Sequence, residues 1–240
     1  MRKETIEYGA GGITMRGQAI WPTLTTAEPP YPAVIVCHAY SGCSDFEQGQ
    51  AEMLAAMGYI GFAADMYGEG EVVATKEEAM EKMQPLLADR GPLRLRVQAA
   101  LEMAAKLPDV DSGRIAAIGY CFGGATVLEL ARSGAKLRGV VSFHGLLSPD
   151  PSMARQKINT PVLVLHGEAD PMIPPEQVLA FQQEMNEAKT DWQLHSYGGV
   201  MHSFTNPNVN SPEEGSCYNE AAARRSWQAM SNFLEEMLRF

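Results

Sequence analysis

Short apolar runs alternate with amphipathic stretches along most of the chain. Ala33-Val34-Ile35-Val36-Cys37 follows Pro32 as an unbroken apolar run, the pattern of a parallel strand buried on both faces. Comparable runs predict further strands over 59–64, 114–119, 138–143, 161–165 and 192–197. Between them the periodicity predicts helices over 45–57, 76–87, 92–107, 122–131 and 176–187, with a long terminal helix over 219–238. Leu93, Val97, Leu101 and Ala104 illustrate it, falling on one helix face. Residues 4–21 read differently, as an antiparallel hairpin turning in the cluster of Gly9, Gly11 and Gly12. Strand and helix alternating between Gly and Pro breaks imply an α/β fold: an open, mostly parallel central sheet with helices on both faces. Such sheets bind ligands at the carboxyl ends of their strands, where this chain places loops rich in His, Asp, Cys and Gly.

A length of 240 residues suffices for one sizeable core, so residues 1–240 are expected to form a single α/β domain. No apolar run is long enough to cross a bilayer, and no apolar stretch of a secretory signal follows Met1-Arg2-Lys3. A cytoplasmic location is expected. The formal net charge of -10 repels phosphate backbones and anionic lipid, which argues against nucleic-acid and membrane partners. Cys37, Cys43, Cys121 and Cys217 are too few and scattered for a disulfide framework and lack C-x-x-C spacing, so they read as free thiols. No two of the five histidines are three or four residues apart, and no metal site is expected.

Gly119-Tyr120-Cys121-Phe122-Gly123-Gly124 stands between a predicted strand and a predicted helix. That is the setting of a nucleophile elbow, a sharp turn that lifts one side chain above the sheet. Glycine at both flanking positions relieves the crowding such a turn creates, and the following helix N-terminus favours a thiolate or an oxyanion. The alternative is a small buried cysteine beside a Gly-rich turn. Downstream order favours the elbow, because hydrolases built on this sheet carry nucleophile, acid and base in that sequence. Asp170 lies in the loop after the strand containing Leu163-Val164-Leu165, and His202 just after the last predicted strand. Glu168 shares the loop and rivals Asp170 as the acid.

The chain resembles the dienelactone hydrolase family of α/β-hydrolases over nearly its whole length. The likeness is carried by 119–124, by His166-Gly167-Glu168-Ala169-Asp170-Pro171, by His202-Ser203-Phe204 and by Tyr218-Asn219-Glu220-Ala221-Ala222. The resemblance implies Cys121 as nucleophile, His202 as base and Asp170 as its partner, acting on lactones and activated esters without a cofactor. It implies the Tyr40 N–H as an oxyanion donor beside that of Phe122, which follows the nucleophile. Two positions depart from the family. Ala39 stands where members acting on dienelactone carry a glutamate that restrains the thiol, and Asn206 stands where an arginine is usual. A neutral aryl ester or phosphotriester is therefore the second reading, and a non-catalytic binding module on the same fold the third.

Ala39, Tyr67 and Phe204 are the candidates for contact with a small-molecule substrate. His38, His144 and His166 end strands near the site, where a supporting hydrogen bond is the plainer role, and His195 is expected to face solvent or a helix. Cys37 reads as core, whereas Cys43 is expected to be reachable by thiol reagents. Arg90, Arg94 and Arg96 are expected on a solvated helix face rather than as substrate guides. A monomer or a homodimer is compatible with all of this.

Overall fold

The computed structural model describes residues 2–23, 28–151 and 157–239. In chain order the main elements are β1 (Arg2–Ala10), β2 (Ile13–Trp21), β3 (Tyr31–Cys37), α1 (Asp45–Ala56), β4 (Ile60–Ala64), α2 (Lys76–Ala88), α3 (Arg90–Ala104), β5 (Val110–Tyr120), α4 (Phe122–Arg132), β6 (Val140–Phe143), β7 (Val162–Gly167), α5 (Pro175–Glu187) and β8 (Trp192–Tyr197). A two-stranded ribbon, β9 (Asn210–Ser211) and β10 (Ser216–Cys217), precedes the terminal helix α6 (Glu220–Leu238).

The eight long strands form one sheet in the order β1-β2-β4-β3-β5-β6-β7-β8. The hairpin β1-β2 turns at Gly11 and Gly12, both at positive φ, and joins β4 antiparallel. All pairings from β4 through β8 are parallel. Alternation along β3 shows how the apolar run is used. Ala33, Ile35 and Cys37 pack with residues of α3 and α4, while Val34 and Val36 pack with α1 and α6, so both sheet faces are covered.

The predicted elements are present with ends shifted by a few residues, most of all β5, which starts four residues early at Val110. The ribbon β9-β10 was not anticipated: two-residue strands carry no periodicity to read. Among the described residues no helix is long and apolar enough to cross a membrane.

The arginines of α3 depart from expectation. Arg90 and Arg94 donate to the fully buried Glu129 of α4, each at 2.9 Å, and Arg94 also pairs with Asp150 at 2.8 Å. Arg132 completes the cluster, contacting Glu129 at 3.2 Å and Glu184 of α5 at 2.7 Å. Arg96 donates to the Met66 and Tyr67 carbonyls. These cations tie helices and loops together under the surface, because Glu129 supplies a buried anion that local spacing on α3 could not reveal.

Candidate active site

The carboxyl end of β5 runs directly into α4 through Cys121, whose φ of 54° and ψ of -111° lie outside the ordinary regions. Such a backbone costs about 1–3 kcal/mol and persists only where its surroundings enforce it. The surroundings here are glycines. A Cβ on Gly119 would fall 2.0 Å from the Gly123 carbonyl oxygen, and one on Gly123 would fall 2.1 Å from that of Cys37. The turn is as tight as the sequence implies, and the Cys121 side chain is partly exposed. As the first residue of α4, Phe122 has an N–H with no intrahelical partner.

Asp170, in the loop after β7, accepts the Met172 N–H at 2.9 Å on Oδ1 and meets His202 Nδ1 at 2.7 Å on Oδ2. His202 Nε2 is buried with no hydrogen-bond partner among the described residues, and Cys121 is near enough to act on the charge of the ring. Burial alone would push the His202 pKa down. The charge of Cys121 and the Asp170 hydrogen bond outweigh it and hold the pKa up at about 10. Glu168 does not contend for the ring: it turns to the Gly199 N–H at 3.1 Å and so braces the loop leading to His202.

The backbone of His202 is clamped by the ribbon the sequence concealed. Its N–H donates to the Gly215 carbonyl at 2.9 Å, and its carbonyl accepts from the Cys217 N–H at 3.0 Å. Gly215 sits at φ 75°, and a Cβ there would stand 2.2 Å from Pro171 Cγ. The Asp170 loop and the His202 clamp thus pack against each other, fixing the two residues in one unit.

On the other side of Cys121 lies the loop after β3. A small cleft, continuous with solvent, opens beside it, lined by Ala39, Tyr40 and Glu47 and by His144, Ser203 and Thr205; Cys121, Asp170 and His202 are not among its described lining residues. Among the described residues that line it, none is Lys or Arg. Ala39 lines this cleft, and Tyr40 is 39% exposed. Tyr67 is buried and its hydroxyl is spent on the Tyr40 carbonyl at 2.7 Å, so it shapes the loop rather than offering a free donor.

Phe204 corrects the expectation made for it. It is fully buried, packed edge-on against His144 and Tyr197, and does not line the cleft. Cys43 is a second correction, being buried with its thiol pKa pushed far up by desolvation. Cys37 is core as expected, and burial raises its pKa to about 12.

Two of the strand-end histidines are held by hydrogen bonds. His38 is fully buried; its Nε2 accepts the Met66 N–H at 3.0 Å, which places the proton on Nδ1, donating to the Ala39 carbonyl at 2.6 Å. His144 meets the Thr205 hydroxyl at 2.8 Å and presents its ring edge-to-face to that of His202, with centroids 5.0 Å apart. Burial, and then the charge of His202, push the His144 pKa well down. His166 is lowered by burial too, and His195 is exposed as expected. Two acidic residues of the site region escaped the sequence reading. Asp65 gathers the N–H groups of Arg16, Tyr67, Gly68 and Gly70, and Glu47 binds the loop after β3. Their one legible sign was position: Asp65 directly follows a buried strand, and Glu47 stands three residues after a helix-capping serine.

A mostly parallel eight-stranded sheet with an antiparallel hairpin at one edge, and an elbow at the end of a central strand, defines the α/β-hydrolase class. Within it the chain belongs to the dienelactone hydrolase family, whose model matches residues 22–238. Among solved structures, m3DLH is 37% identical with a TM-score of 0.92, covering 99% of each chain. A dienelactone hydrolase-like promiscuous phosphotriesterase from metagenomic libraries, P91, is also 37% identical, with a TM-score of 0.93 and the same coverage. A protein of Saccharolobus solfataricus provisionally named a carboxymethylenebutenolidase is 27% identical over 99% of both chains. The protein is thus a dienelactone hydrolase-like hydrolase of small molecules.

Proposed function

We propose that this protein opens carboxylic esters or lactones through a thioester formed on Cys121. The observation that carries the reading is the buried Asp170–His202 pair, 2.7 Å apart, whose free Nε2 edge has Cys121 as its neighbour. His202 takes the thiol proton, and the resulting imidazolium is stabilised by Asp170, which keeps the ring in the tautomer with its proton on Nδ1. The thiolate adds to the substrate carbonyl. The oxyanion that forms is held by the N–H groups of Phe122 and Tyr40, an interaction of which each donor typically supplies about a hundredfold or more in rate. Collapse expels the alkoxide, which takes the proton from His202. Water, deprotonated by the same imidazole, then adds to the thioester, and the second collapse releases the acid and restores the thiol.

A phosphotriester is the second reading. It is favoured by the likeness to P91 over 99% of each chain, and by a cleft in which no described lining residue is a Lys or Arg that could hold a substrate carboxylate. Nucleophilic addition charges the P=O oxygen as it charges a carbonyl, so the same donors serve. The assembled acid, base and thiol argue against a non-catalytic binding module.

Turnover of a 4-nitrophenyl ester, a neutral butenolide and a neutral aryl phosphotriester by the wild type and by Cys121→Ala tests both readings. Loss of ester and lactone turnover by about a thousandfold or more in the variant is expected. Ester turnover unchanged in the variant overturns the first reading. A phosphotriester released by neither protein, or equally by both, overturns the second.

A further inference from the structure

Glu47 is the third residue of α1 and, with Ser44, forms a capping box: its Oε2 accepts the Ser44 N–H at 3.1 Å and the Ser44 hydroxyl at 2.6 Å. That role accounts for one oxygen only. Oε1 reaches outside the helix to accept the Ala39 N–H at 2.9 Å, and the residue is 1% exposed, a burial that capping does not require.

The next peptide groups of the loop are held just as firmly. His38 Nδ1–H donates to the Ala39 carbonyl at 2.6 Å, and the Tyr67 hydroxyl donates to the Tyr40 carbonyl at 2.7 Å. The Ala39 carbonyl and the Tyr40 N–H belong to one planar peptide unit and point in opposite directions. Fixing that carbonyl toward His38 therefore fixes the direction of the Tyr40 N–H. Glu47 holds the peptide before it and Tyr67 the peptide after it.

We propose that Glu47 is a positioning residue for the oxyanion site: with His38 and Tyr67 it clamps three successive peptides and holds the Tyr40 N–H aimed at the reacting carbonyl. The inference rests on the reading of Cys121 as nucleophile and of the Tyr40 N–H as donor. Its physical content is preorganisation, since a donor fixed before the reaction needs no reorganisation as charge develops. Glu47 acts through Ala39 and Tyr40, not on the reacting atoms. The motif Ser-x-x-Glu announces the cap in the sequence, but the second contact spans the loop and is visible only in the fold.

Two rates at Cys121 separate this role from a merely structural one. Ester acylation builds an oxyanion, whereas alkylation by iodoacetamide displaces iodide at a saturated carbon and builds none. Glu47→Gln keeps the side-chain shape but has a single acceptor oxygen, so it cannot serve both Ala39 and Ser44. It is expected to lower kcat for a 4-nitrophenyl ester about tenfold or more. KM and the alkylation rate of the Cys121 peptide, followed by mass spectrometry, are expected to stay within about threefold. Tyr67→Phe deletes one hydroxyl and is expected to show the same split, should the first variant fold poorly. Equal losses in both rates in Tyr67→Phe and in a folded Glu47→Gln, or no loss in either rate, overturn the proposal. Wild-type ester turnover that survives complete alkylation of Cys121 overturns instead the nucleophile reading on which it rests.

Discussion

Asp170 Oδ2 stands 2.7 Å from His202 Nδ1, while Glu168 in the same loop turns away to the Gly199 N–H. The two carboxylates therefore have separable tasks. Asp170→Asn removes the charge behind the imidazolium and offers an amide that can hold the wrong tautomer, so kcat for an activated ester is expected to fall about a hundredfold or more. Glu168→Gln keeps an acceptor for Gly199 and is expected to change kcat by less than about threefold. Steady-state kinetics on the pair checks the assignment; the reverse ranking would make Glu168 the acid.

Protonation of His202 depends on its neighbour. Burial lowers the pKa, yet the Cys121 charge, then the Asp170 hydrogen bond, carry it from 6.5 to about 10. A folded-state pKa above the unfolded one means that the protonated ring stabilises the fold fully below about pH 6.5, and that this contribution disappears as pH rises through about 10. NMR titration of the His202 ring is expected to find it protonated at neutral pH in the wild type. In Cys121→Ala, with the largest raising influence gone and burial retained, the pKa is expected to fall. An unchanged titration would separate the two side chains electrostatically.

Stability of the elbow is expected to depend on bare α-carbons. Gly123→Ala would set a Cβ 2.1 Å from the Cys37 carbonyl oxygen, whereas one at Gly49, inside α1, would have nothing within 4 Å. The first change is expected to cost about 1–3 kcal/mol. The second is expected to stabilise by about 0.5–1 kcal/mol, because alanine is the better helix residue. Thermal melts check both, at roughly 2–4 °C per kcal/mol for a domain of this size. Equal midpoints would contradict the packing described for the turn.

The cluster around Glu129 makes a different demand on the fold. Glu129→Ala strands Arg90, Arg94 and Arg132 with a buried partner missing, and removing one side of such a cluster costs about 3–5 kcal/mol. Urea denaturation is expected to show the loss as a lower midpoint. Activity in the folded protein is expected to persist, since the ion pairs of the cluster include none of Cys121, Asp170 and His202.

What was legible in the sequence follows from how local each signal is. The unbroken run 33–37, the helix face from Leu93 to Ala104 and the paired glycines around Cys121 are fixed by neighbours within one element, and the structure bears out the α/β-hydrolase fold they imply. The chain order of Cys121, Asp170 and His202 implies loops at the carboxyl ends of strands, and the three residues follow β5, β7 and β8. Side chains whose meaning lies in a distant partner stayed hidden: Arg90 needs Glu129, Glu47 needs Ala39, and the His202 clamp needs Gly215. Phe204 misled because adjacency to His202 in the chain says nothing about which way a ring turns, and this one turns into the core.

The thioester itself gives the most direct test. An aryl ester whose acyl group leaves slowly should, on rapid quenching, add one acyl mass to the intact protein, with peptide mapping locating it on Cys121 and a burst of phenol matching it in amount. Turnover with no acyl adduct, or an adduct on any other residue, would contradict the account.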